Sequence, residues 1–501
     1  MNNLQAMSVS PIQPLSEAGR QVNQYLRNQI NRAPALLKTY TQDEQGNKYL
    51  SRNMFIRIEK LINDFIRGEK ELRMVSIPGL RGVGKTTLLA QLFLKFFPRY
   101  SKDMLYISTD QVVNELGADL YSVFEEYQKI LDVPFEKLDR NLFIFIDEIH
   151  FDKKWTAVLK SIYDRSKRIF VVCTGSSALS LQSTTDLARR VVFEKLYPMN
   201  FTEYLLLKTR YEVIKDKTVA IKFPVKDLKE TIKNALFYSR DAEECFSRLA
   251  GLKAQVNKYW FGVDSLEIDR YLRFGTMPYA LTIKDEQRVH TLTNQQIDRV
   301  VEKDLPELGK FDTNTLSTVK NLLLLVAGSG EVSVTNLAQS LKGISIVTLI
   351  NVLETLEKAE MLIRVYPYGS VYKKVRKPSK YHFMTPAVRH TLLTVVEGEN
   401  AFTNHKGWYL EDIVALSLHR EFSQKLSSPI FYDSAKGGAD FILSFPEKKI
   451  AIEIGYGKKS AEQAQATLEK IKGNYGLLIC SADLAKDKNV IRVPLHYFLL
   501  I

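Results

Sequence analysis

The stretch GLRGVGKTT, from Gly79 to Thr87, contains a phosphate-binding pattern. Gly79, Gly84, Lys85 and Thr86 satisfy G-x-x-x-x-G-K-[ST], between the strand-like run RMVSIP and the helical run TLLAQLFLKF. In such a loop, backbone N–H groups converge on the phosphates, the lysine contacts the β and γ oxygens, and the threonine takes a Mg²⁺ position. The residues expected to bind a nucleotide are Gly79, Gly82, Gly84, Lys85, Thr86, Thr87 and, from the next motif, Asp147.

Two carboxylates end the strand-like stretch LFIFIDE, from Leu142 to Glu148. Asp147 is suited to hold a Mg²⁺ ion together with Thr86, and Glu148 is suited to polarise the attacking water. Two acids can also simply mark the solvent-exposed end of an apolar strand. The phosphate-binding stretch that precedes them favours a catalytic role. The two motifs therefore predict binding and hydrolysis of ATP or GTP, with ATP and Mg²⁺ as the expected cofactors.

Polar residues also follow the next strand-like run, RIFVVCTGSSALS. Thr174 and Ser176 are expected to contact the γ-phosphate beside the acids, although an ordinary polar turn has the same composition. Further on, LARRVVFEKLYPMNF contains Arg189 and Arg190. Arg190 is the preferred candidate for an arginine finger, and a solvated arginine pair is the alternative.

The composition of the whole chain limits the class of protein. Its 501 residues are too many for one core, and 45% hydrophobic with 25% charged residues is the balance of a globular protein. The formal net charge of +13 favours a polyanionic partner. The three cysteines form no CxxC pair, which argues against a zinc site or a disulfide framework. Because neither a signal peptide nor a membrane span is recognised, a cytoplasmic location is expected.

Short strand-like runs alternate with helical stretches from Arg73 to about Phe201, which predicts a parallel sheet wrapped by helices. The predicted fold class is therefore α/β, with a P-loop core and a second α/β domain at the C-terminus. The predicted divisions are a polar, partly ordered lead-in at 1–50, the core at 51–205, a helical lid at 206–312, a winged helix at 313–392 and the second α/β domain at 393–501.

Residues 313–392 have the pattern helix, short helix, turn, longer helix and β-ribbon, the order of a winged helix-turn-helix. The longer helix has Thr348, Asn351 and Thr355 as solvent-side candidates and no arginine, which predicts weak base-specific readout. The ribbon is basic and rich in tyrosine, as suits phosphate contact and base stacking, while docking between domains is the alternative. The basic run contains Arg364 and Arg389 and, as the expected DNA contacts, Lys373, Lys374, Arg376, Lys377 and Lys380.

Together, GLRGVGKTT, FIFIDEIHFDKKWTAVLK, CTGSSALS and RRVVFEKLYPMNFTEYL resemble the prokaryotic AAA-type ATPases that carry a C-terminal region known as DUF4143. The resemblance covers about residue 50 to the end. It matches Asp147, Glu148, Trp155, the turn at 175–177 and the segment PMNFTEY at 198–204. It implies an AAA+-like core that hydrolyses ATP, followed by a lid in which FGTMPYA stands where relatives have a GGxP turn.

The string GGADFILSFPEKKIAIEIGYGKK resembles the PD-(D/E)xK nuclease core of relatives of this family. The resemblance assigns Asp440 and Glu453 to the metal-binding acids and Glu411 to the acid of the preceding helix. Gly455 stands at the lysine position, for which Lys458 or Lys459 would have to substitute. A degenerate nuclease fold that binds nucleic acid or serves assembly is therefore expected, and active cleavage is the alternative.

These features predict a Mg-ATP-dependent AAA+-type ATPase that binds duplex or branched DNA by shape and charge. An arginine finger from a neighbouring subunit implies a homo-oligomer such as a hexameric ring. One alternative is an ATP switch similar to STAND proteins that binds a protein partner in defence or regulation, and another is an ATP-gated nuclease. The basic ribbon favours DNA, whereas the arginine-free helix favours the protein partner.

Overall fold

The computed structural model describes residues 17–69, 71–176, 187, 189–216, 226–330, 333–341, 343–370, 377–422, 430–456 and 460–501. Within these residues the strands form one sheet of five strands and one sheet of eight strands, and a region of helices connects them along the chain. The predicted α/β fold class is confirmed.

The five-stranded sheet is parallel throughout. Its strands are β1 (Met74–Pro78), β2 (Met104–Ser108), β3 (Leu142–Asp147), β4 (Ile169–Gly175) and β5 (Val192–Phe193), in the spatial order β2-β3-β4-β1-β5. All residues of β1, β3 and β4 are buried, as expected for parallel strands covered on both faces. Since β4 lies between β1 and β3, its carboxyl end lies between the strand that precedes the phosphate-binding stretch and the strand that carries the two acids.

Helices cover both faces of this sheet. They are α1 (Glu17–Thr39), α2 (Asn53–Arg67), α3 (Lys85–Tyr100), α4 (Thr109–Asn114), α5 (Leu120–Leu131) and α6 (Trp155–Arg165). Alternate residues of β3 point into two separate apolar cores. Phe143 and Phe145 belong to the first core, and Ile144 and Ile146 belong to the second. The alternation follows from the two-residue period of a strand.

The helix α1 is a difference from the sequence analysis, which predicts only a partly ordered lead-in before residue 50. Val22, Leu26 and Leu37 are buried at helical spacing, together with Gln29 and Ala33. The amide and the small alanine side chain weaken the apolar signal, and Pro34 interrupts the helix pattern. Packing against the core therefore stabilises a helix that local propensity does not indicate.

The connecting region consists of helices and two π turns. The helices are α7 (Phe201–Asp216), α8 (Lys226–Tyr238), α9 (Ala242–Gly251), α10 (Lys253–Trp260), α11 (Leu266–Arg270), α12 (Glu286–Arg299) and α13 (Leu305–Leu308). One π turn, Tyr271–Gly275, follows α11, and the other, Val300–Asp304, joins α12 to α13. Single π turns of this kind are often found at functional sites.

The FGTMPYA turn packs against the phosphate-binding stretch and against the PMNFTEY segment. A Cβ atom built on Gly84 would lie 3.8 Å from Pro278 Cγ, and one built on Gly275 would lie 3.0 Å from the Tyr204 ring. The close contact at Gly275 explains a glycine there, since a side chain would displace the tyrosine. The turn therefore connects two sequence motifs that are far apart along the chain.

The next region begins with α14 (Thr313–Ala327), α15 (Val334–Ser340) and α16 (Ile346–Lys358), followed by the antiparallel strands β6 (Leu362–Pro367) and β7 (Lys380–Phe383). One expectation for α16 is wrong. Thr355 is buried on the same side of α16 as Val352 and Leu356, and its hydroxyl donates to the Asn351 carbonyl oxygen at 2.7 Å within the helix. The exposed side chains of α16 include the apolar residues Ile346, Val347 and Ile350.

The eight-stranded sheet has the order β12-β13-β11-β10-β9-β8-β6-β7. Its remaining elements are α17 (Pro386–Glu397), α18 (Ala401–Phe422), β8 (Ile430–Tyr432), β9 (Phe441–Ser444), β10 (Lys449–Ile454), α19 (Glu462–Ile471), β11 (Tyr475–Cys480), β12 (Ala485–Asp487), β13 (Val490–Pro494) and α20 (Leu495–Phe498). Because β6 pairs in parallel with β8, the hairpin β6-β7 continues the C-terminal sheet.

The C-terminal sheet region contacts the segment after the five-stranded sheet. Arg420 donates to the Pro198 carbonyl at 2.6 Å, and the Asn200 amide donates to the Ile501 carbonyl at 3.2 Å. These bonds connect α18 and the last residue to the PMNFTEY segment. Among the helices of the described ranges, none is long and apolar enough to cross a membrane.

Candidate nucleotide site

The phosphate loop, residues 79–86, connects β1 to α3. Gly82 has φ +80° and Gly84 has φ +93°, conformations that glycine adopts without steric cost. The Lys85 ammonium donates to the carbonyl oxygens of Gly79 at 2.8 Å and Leu80 at 3.2 Å. The loop ends at the N-terminus of α3, where free N–H groups and the helix dipole attract anions. The residues present therefore fit a bound phosphate.

Asp147 connects the phosphate loop to β4. Its carboxylate accepts a hydrogen bond from the Thr86 hydroxyl at 2.9 Å and another from the Thr174 hydroxyl. The Thr174 oxygen in turn accepts from the Glu148 N–H at 3.0 Å. Four residues from three sequence motifs thus form one hydrogen-bonded chain at the carboxyl edge of the sheet.

The two neighbouring carboxyl groups differ in their pKa values. Burial, followed by repulsion from Glu148, raises the pKa of Asp147 to about 6, although its hydroxyl partners oppose the rise. Burial also opposes ionisation of Glu148, but the positive charges of Lys85 and Arg81 and the His150 ring lower its pKa. Glu148 is therefore a carboxylate at neutral pH, the form that can accept a proton from water.

Glu148 itself lies in the left-handed region, at φ +52° and ψ +47°, which costs a residue with a Cβ roughly 1–2 kcal/mol. Its carboxylate lies 3.7 Å from Arg81 NH1 and 3.3 Å from His150 Nδ1. His150 Nδ1 accepts a hydrogen bond from the Ser176 N–H at 3.3 Å, and burial lowers the pKa of this histidine. The predicted residue Ser176 thus contacts the His150 ring through its backbone N–H, and the ring lies beside the Glu148 carboxylate.

A cavity of about 470 Å³ lies beside the phosphate loop. Gly82, Gly84 and Thr87 line one side of it, and Arg52 and Arg288 also face it. The apolar lining comes from Tyr49, Leu50, Leu88, Leu207, Pro278, Tyr279, Leu281 and Ile283. Polar residues such as Asp43, Glu44 and Gln91 also line it. A cavity of mixed apolar and polar lining next to a phosphate loop is suited to a base and its ribose.

A buried ion pair joins the phosphate loop to α7. Arg52 pairs with Glu203 through Nε–Oε1 at 3.1 Å and NH2–Oε2 at 2.6 Å, and both side chains are 9% exposed. Arg52 NH1 also donates to the Val83 carbonyl at 2.9 Å. The acid of the PMNFTEY segment therefore positions the arginine that holds the phosphate loop.

The predicted arginine finger contacts its own chain. Arg190 Nε donates to the Asp164 carboxylate at 3.2 Å, and the guanidinium lies 5.6 Å from the centre of the Tyr163 ring. Both partners belong to α6. The neighbouring Arg189 is exposed.

Much of the described part of the basic run is engaged in ion pairs within the chain. The pairs are Arg364–Glu354 at 3.6 Å, Lys380–Asp440 at 3.4 Å and Arg389–Asp412 at 2.7 Å. Lys377 is exposed. Lys373, Lys374 and Arg376 lie outside the described residues. Lys380, expected to contact DNA, is instead buried beside an acid.

The three acids assigned to a nuclease-like site come to one region. Asp440 accepts from the N–H of Ile454, the residue after Glu453, at 3.0 Å. Burial, followed by the charge of Asp440, raises the pKa of Glu411 to about 7. Among the residues the structure describes, no group of three or more His, Cys, Asp or Glu side chains is arranged to hold a metal ion. Lys458 and Lys459 lie outside the described ranges.

Comparison with known proteins identifies the relatives of the chain. Residues 71–205 match a family model described as an AAA domain, which confirms the AAA-type core. Residues 265–399 match a domain of unknown function, DUF8612, rather than the DUF4143 region that the resemblance suggests. An uncharacterized protein of Methanocaldococcus jannaschii is 34% identical over 492 residues, which cover 96% of this chain and 94% of the relative. The chain belongs to the same family as that archaeal protein.

Two more distant similarities extend the comparison. A second uncharacterized protein of Methanocaldococcus jannaschii is 24% identical over 76% of this chain and 74% of its own length. The Aeropyrum pernix ORC1 protein, solved in complex with DNA, shares 15% identity over 68% of this chain and 92% of that chain, with a TM-score of 0.33.

Several residues that contact the phosphate loop are not predicted from the sequence. They are Arg52, which donates to Val83, Gln296, which approaches Gly82, and Asp304, which pairs with Arg81. These three lie outside every motif, and Arg81 occupies a position that the loop pattern leaves open. The one available signal is a charged residue inside a glycine-rich loop, but its partner Asp304 is 223 residues away. A separation of that size cannot be inferred from local periodicity.

Proposed function

We propose that the chain binds Mg-ATP at the phosphate loop and hydrolyses it. The observation that carries the proposal is the hydrogen-bonded chain Thr86–Asp147–Thr174–Glu148, which joins the loop to the backbone N–H of the residue whose carboxylate is ionised at neutral pH. Lys85 and the loop N–H groups would hold the phosphates, and Thr86 with Asp147 would hold Mg²⁺, which neutralises phosphate charge. Glu148 would accept the proton of the attacking water.

The cavity beside the loop supports a nucleoside triphosphate over a smaller phosphorylated ligand. Tyr49 and Leu50, which precede α2, form one apolar wall, and Pro278 and Tyr279 of the FGTMPYA turn form another. A base would be enclosed between these two walls. ATP is proposed on the resemblance to AAA-type ATPases, and GTP is the comparison ligand for a binding assay.

We also propose that hydrolysis is coupled to DNA, bound by charge and shape through residues 313–383. The order of three helices and a hairpin is that of a winged helix, and the net charge of +13 attracts phosphate. A homo-oligomeric ring is proposed with it, in which Arg189 or Arg190 would act in trans once Arg190 leaves Asp164. DNA cleavage is not proposed, because Gly455 stands at the lysine position.

A specific observation favours a second candidate, a nucleotide-driven switch that binds a protein. Ile346, Val347 and Ile350 on α16 are 48%, 68% and 37% exposed. Apolar side chains on a helix surface suit a protein partner, whereas phosphate contact needs cations. In this candidate α16 would bind the partner and DNA would have no effect on hydrolysis.

One experiment tests both candidates: ATP hydrolysis by the full chain with no DNA, linear duplex, single strands or a four-way junction. Glu148→Gln should lower the rate about 100-fold or more while ATP binding persists, and the exposed Glu115→Gln is the control. Stimulation that weakens steeply with salt supports the DNA proposal. A rate indifferent to every DNA refutes it in favour of the protein switch, and normal hydrolysis by Glu148→Gln refutes the catalytic assignment.

A further inference from the structure

The segment 296–307, here called the latch segment, contacts the phosphate loop directly. It comprises the end of α12, the π turn and the start of α13. Arg81 of the loop makes a bidentate ion pair with Asp304 of the latch segment, at 2.9 and 2.8 Å from Nε and 2.7 Å from NH2. The side chains are 16% and 5% exposed. The pair is therefore a partly buried connection between the loop and the helical region.

A second contact lies one residue further along the loop. A Cβ atom built on Gly82 would lie 2.2 Å from Nε2 of Gln296, so the glutamine amide rests on the loop backbone. Glycine is required there both for its positive φ and for the space. The latch segment thus contacts the loop through an ion pair at one end and a close amide contact at the other.

The latch segment also places negative charge beside the predicted catalytic residues. Arg81 NH1 lies 3.7 Å from Glu148, and Glu307 lies 3.8 Å from Nε2 of His150, which itself contacts Glu148. Burial, followed by repulsion from Asp304, raises the pKa of Glu307 to about 6. Carboxylates of the latch segment therefore lie beside Arg81 and His150, the two residues that contact the proposed catalytic Glu148.

The π turn positions Asp304 for this contact. Asp304 is the last residue of the turn Val300–Asp304, and the chain resumes α-helix at Leu305. A π turn adds a residue to the helical repeat and so rotates the helix after it relative to the helix before it. The chain thereby presents Gln296 and Asp304 to the same loop.

We propose that Arg81 is a phosphate-binding residue whose guanidinium is occupied by Asp304 in the absence of ATP. The γ-phosphate of ATP and the Asp304 carboxylate then compete for this one guanidinium. The proposal rests on the ATP binding proposed above. A guanidinium binds carboxylate and phosphate with the same bidentate geometry, so exchange of one for the other needs no new donor. The γ-phosphate is the competitor because Arg81 lies beside Glu148, the residue proposed to act on the attacking water.

The consequence is that the latch segment would report which nucleotide is bound. ATP would take Arg81 from Asp304 and release the segment from the loop, whereas ADP, which has no γ-phosphate, would leave the pair in place. A difference in affinity between the two states is what allows a ligand to shift such an equilibrium. The helical region would then move with the hydrolysis cycle.

The test measures the dissociation constants of Mg-ATP and Mg-ADP, by competition with a fluorescent nucleotide, on the full chain. Asp304→Asn should tighten ATP binding about tenfold or more, equivalent to about 1.4 kcal/mol, and change ADP binding little. Arg81→Gln should weaken the binding of ATP more than the binding of ADP. In the double variant Arg81→Gln/Asp304→Asn, ATP binding should be no tighter than in Arg81→Gln alone. Asp298→Asn is the matched control, because Asp298 lies on α12 but pairs with Lys320. It should bind both nucleotides as the unaltered chain does.

A second measurement needs no variant. Hydrogen exchange of residues 296–307 should become faster with a non-hydrolysable ATP analogue and Mg²⁺ and stay unchanged with ADP. Suppose that the unaltered chain binds ATP, but Asp304→Asn binds it no more tightly or the hydrogen exchange of residues 296–307 does not change with the ATP analogue. Either result refutes the latch and leaves the ATP site in place. If the unaltered chain binds neither nucleotide, the proposed function itself fails.

Discussion

Replacing Glu203 by glutamine tests whether a buried ion pair holds the phosphate loop. Glu203 accepts two hydrogen bonds from Arg52 and a third from the Asn53 N–H at 3.2 Å. Glutamine has one acceptor oxygen in place of two, and it leaves the buried Arg52 charge without its counter-charge. Removing one partner of a buried pair destabilises a protein by about 3–5 kcal/mol. We therefore expect a loss of that size for Glu203→Gln.

The matched control is an exposed pair of the same residue types. Arg273 and Glu286 meet at 2.6 Å, but their side chains are 25% and 51% exposed. Glu286→Gln should therefore change the free energy of unfolding by only about 0–1 kcal/mol. Urea unfolding followed by tryptophan fluorescence at pH 7 compares the two variants.

The same variants have a functional readout. Because Arg52 donates to the Val83 carbonyl, loss of its partner should loosen the phosphate loop and weaken nucleotide binding in Glu203→Gln, but not in Glu286→Gln. If the two variants lose equal stability within about 0.5 kcal/mol, the reasoning from burial is wrong. If Glu203→Gln is destabilised but binds nucleotide normally, the pair stabilises the fold without positioning the loop.

Two further predictions concern buried titratable groups. Burial and Asp440 raise the pKa of Glu411 from 4.5 to about 7, so stability should fall as pH rises through this range. Glu411→Gln should be more stable than the unaltered chain at pH 8, by up to about 3 kcal/mol, and equal to it at pH 4.5, in thermal unfolding with the exposed Glu399→Gln as control. Burial and then His290 lower the pKa of His390 from 6.5 to about 3, so the unfolded chain binds that proton more tightly and stability should fall as pH falls from 6.5 towards 3. His390→Gln should reduce this loss between pH 7 and pH 5, and an unchanged pH dependence would contradict the prediction.

The phosphate loop and the two acids are predicted from the sequence because each is built by consecutive residues. A loop of positive-φ glycines between a strand and a helix needs no distant partner to be recognised, and neither do two acids at the end of an apolar strand. The parallel sheet follows from the same local alternation of strands and helices, and the structure confirms the α/β class. The expected order of helices and hairpin after residue 313 likewise matches the observed elements.

The burial of charged and polar side chains is the feature of this fold that the sequence predicts least well. Thr355 lies on the buried side of α16, Lys380 pairs with Asp440, and Arg389 is enclosed with Asp412. In the sequence these residues belong to polar or basic stretches that indicate solvent or DNA. Composition reports that a charge is present, but the partner that neutralises it is contributed by another part of the chain.

The sequence by itself therefore determined the AAA-type core, and it predicted the residues of the phosphate loop and of the acid pair, since local order along the chain specifies them. Only the tertiary structure decided which residues hold that loop, namely Arg52 with Glu203 and Arg81 with Asp304. The physical reason is that a buried ion pair depends on long-range packing, which brings together groups 151 and 223 residues apart. Nothing in the local pattern records that distance.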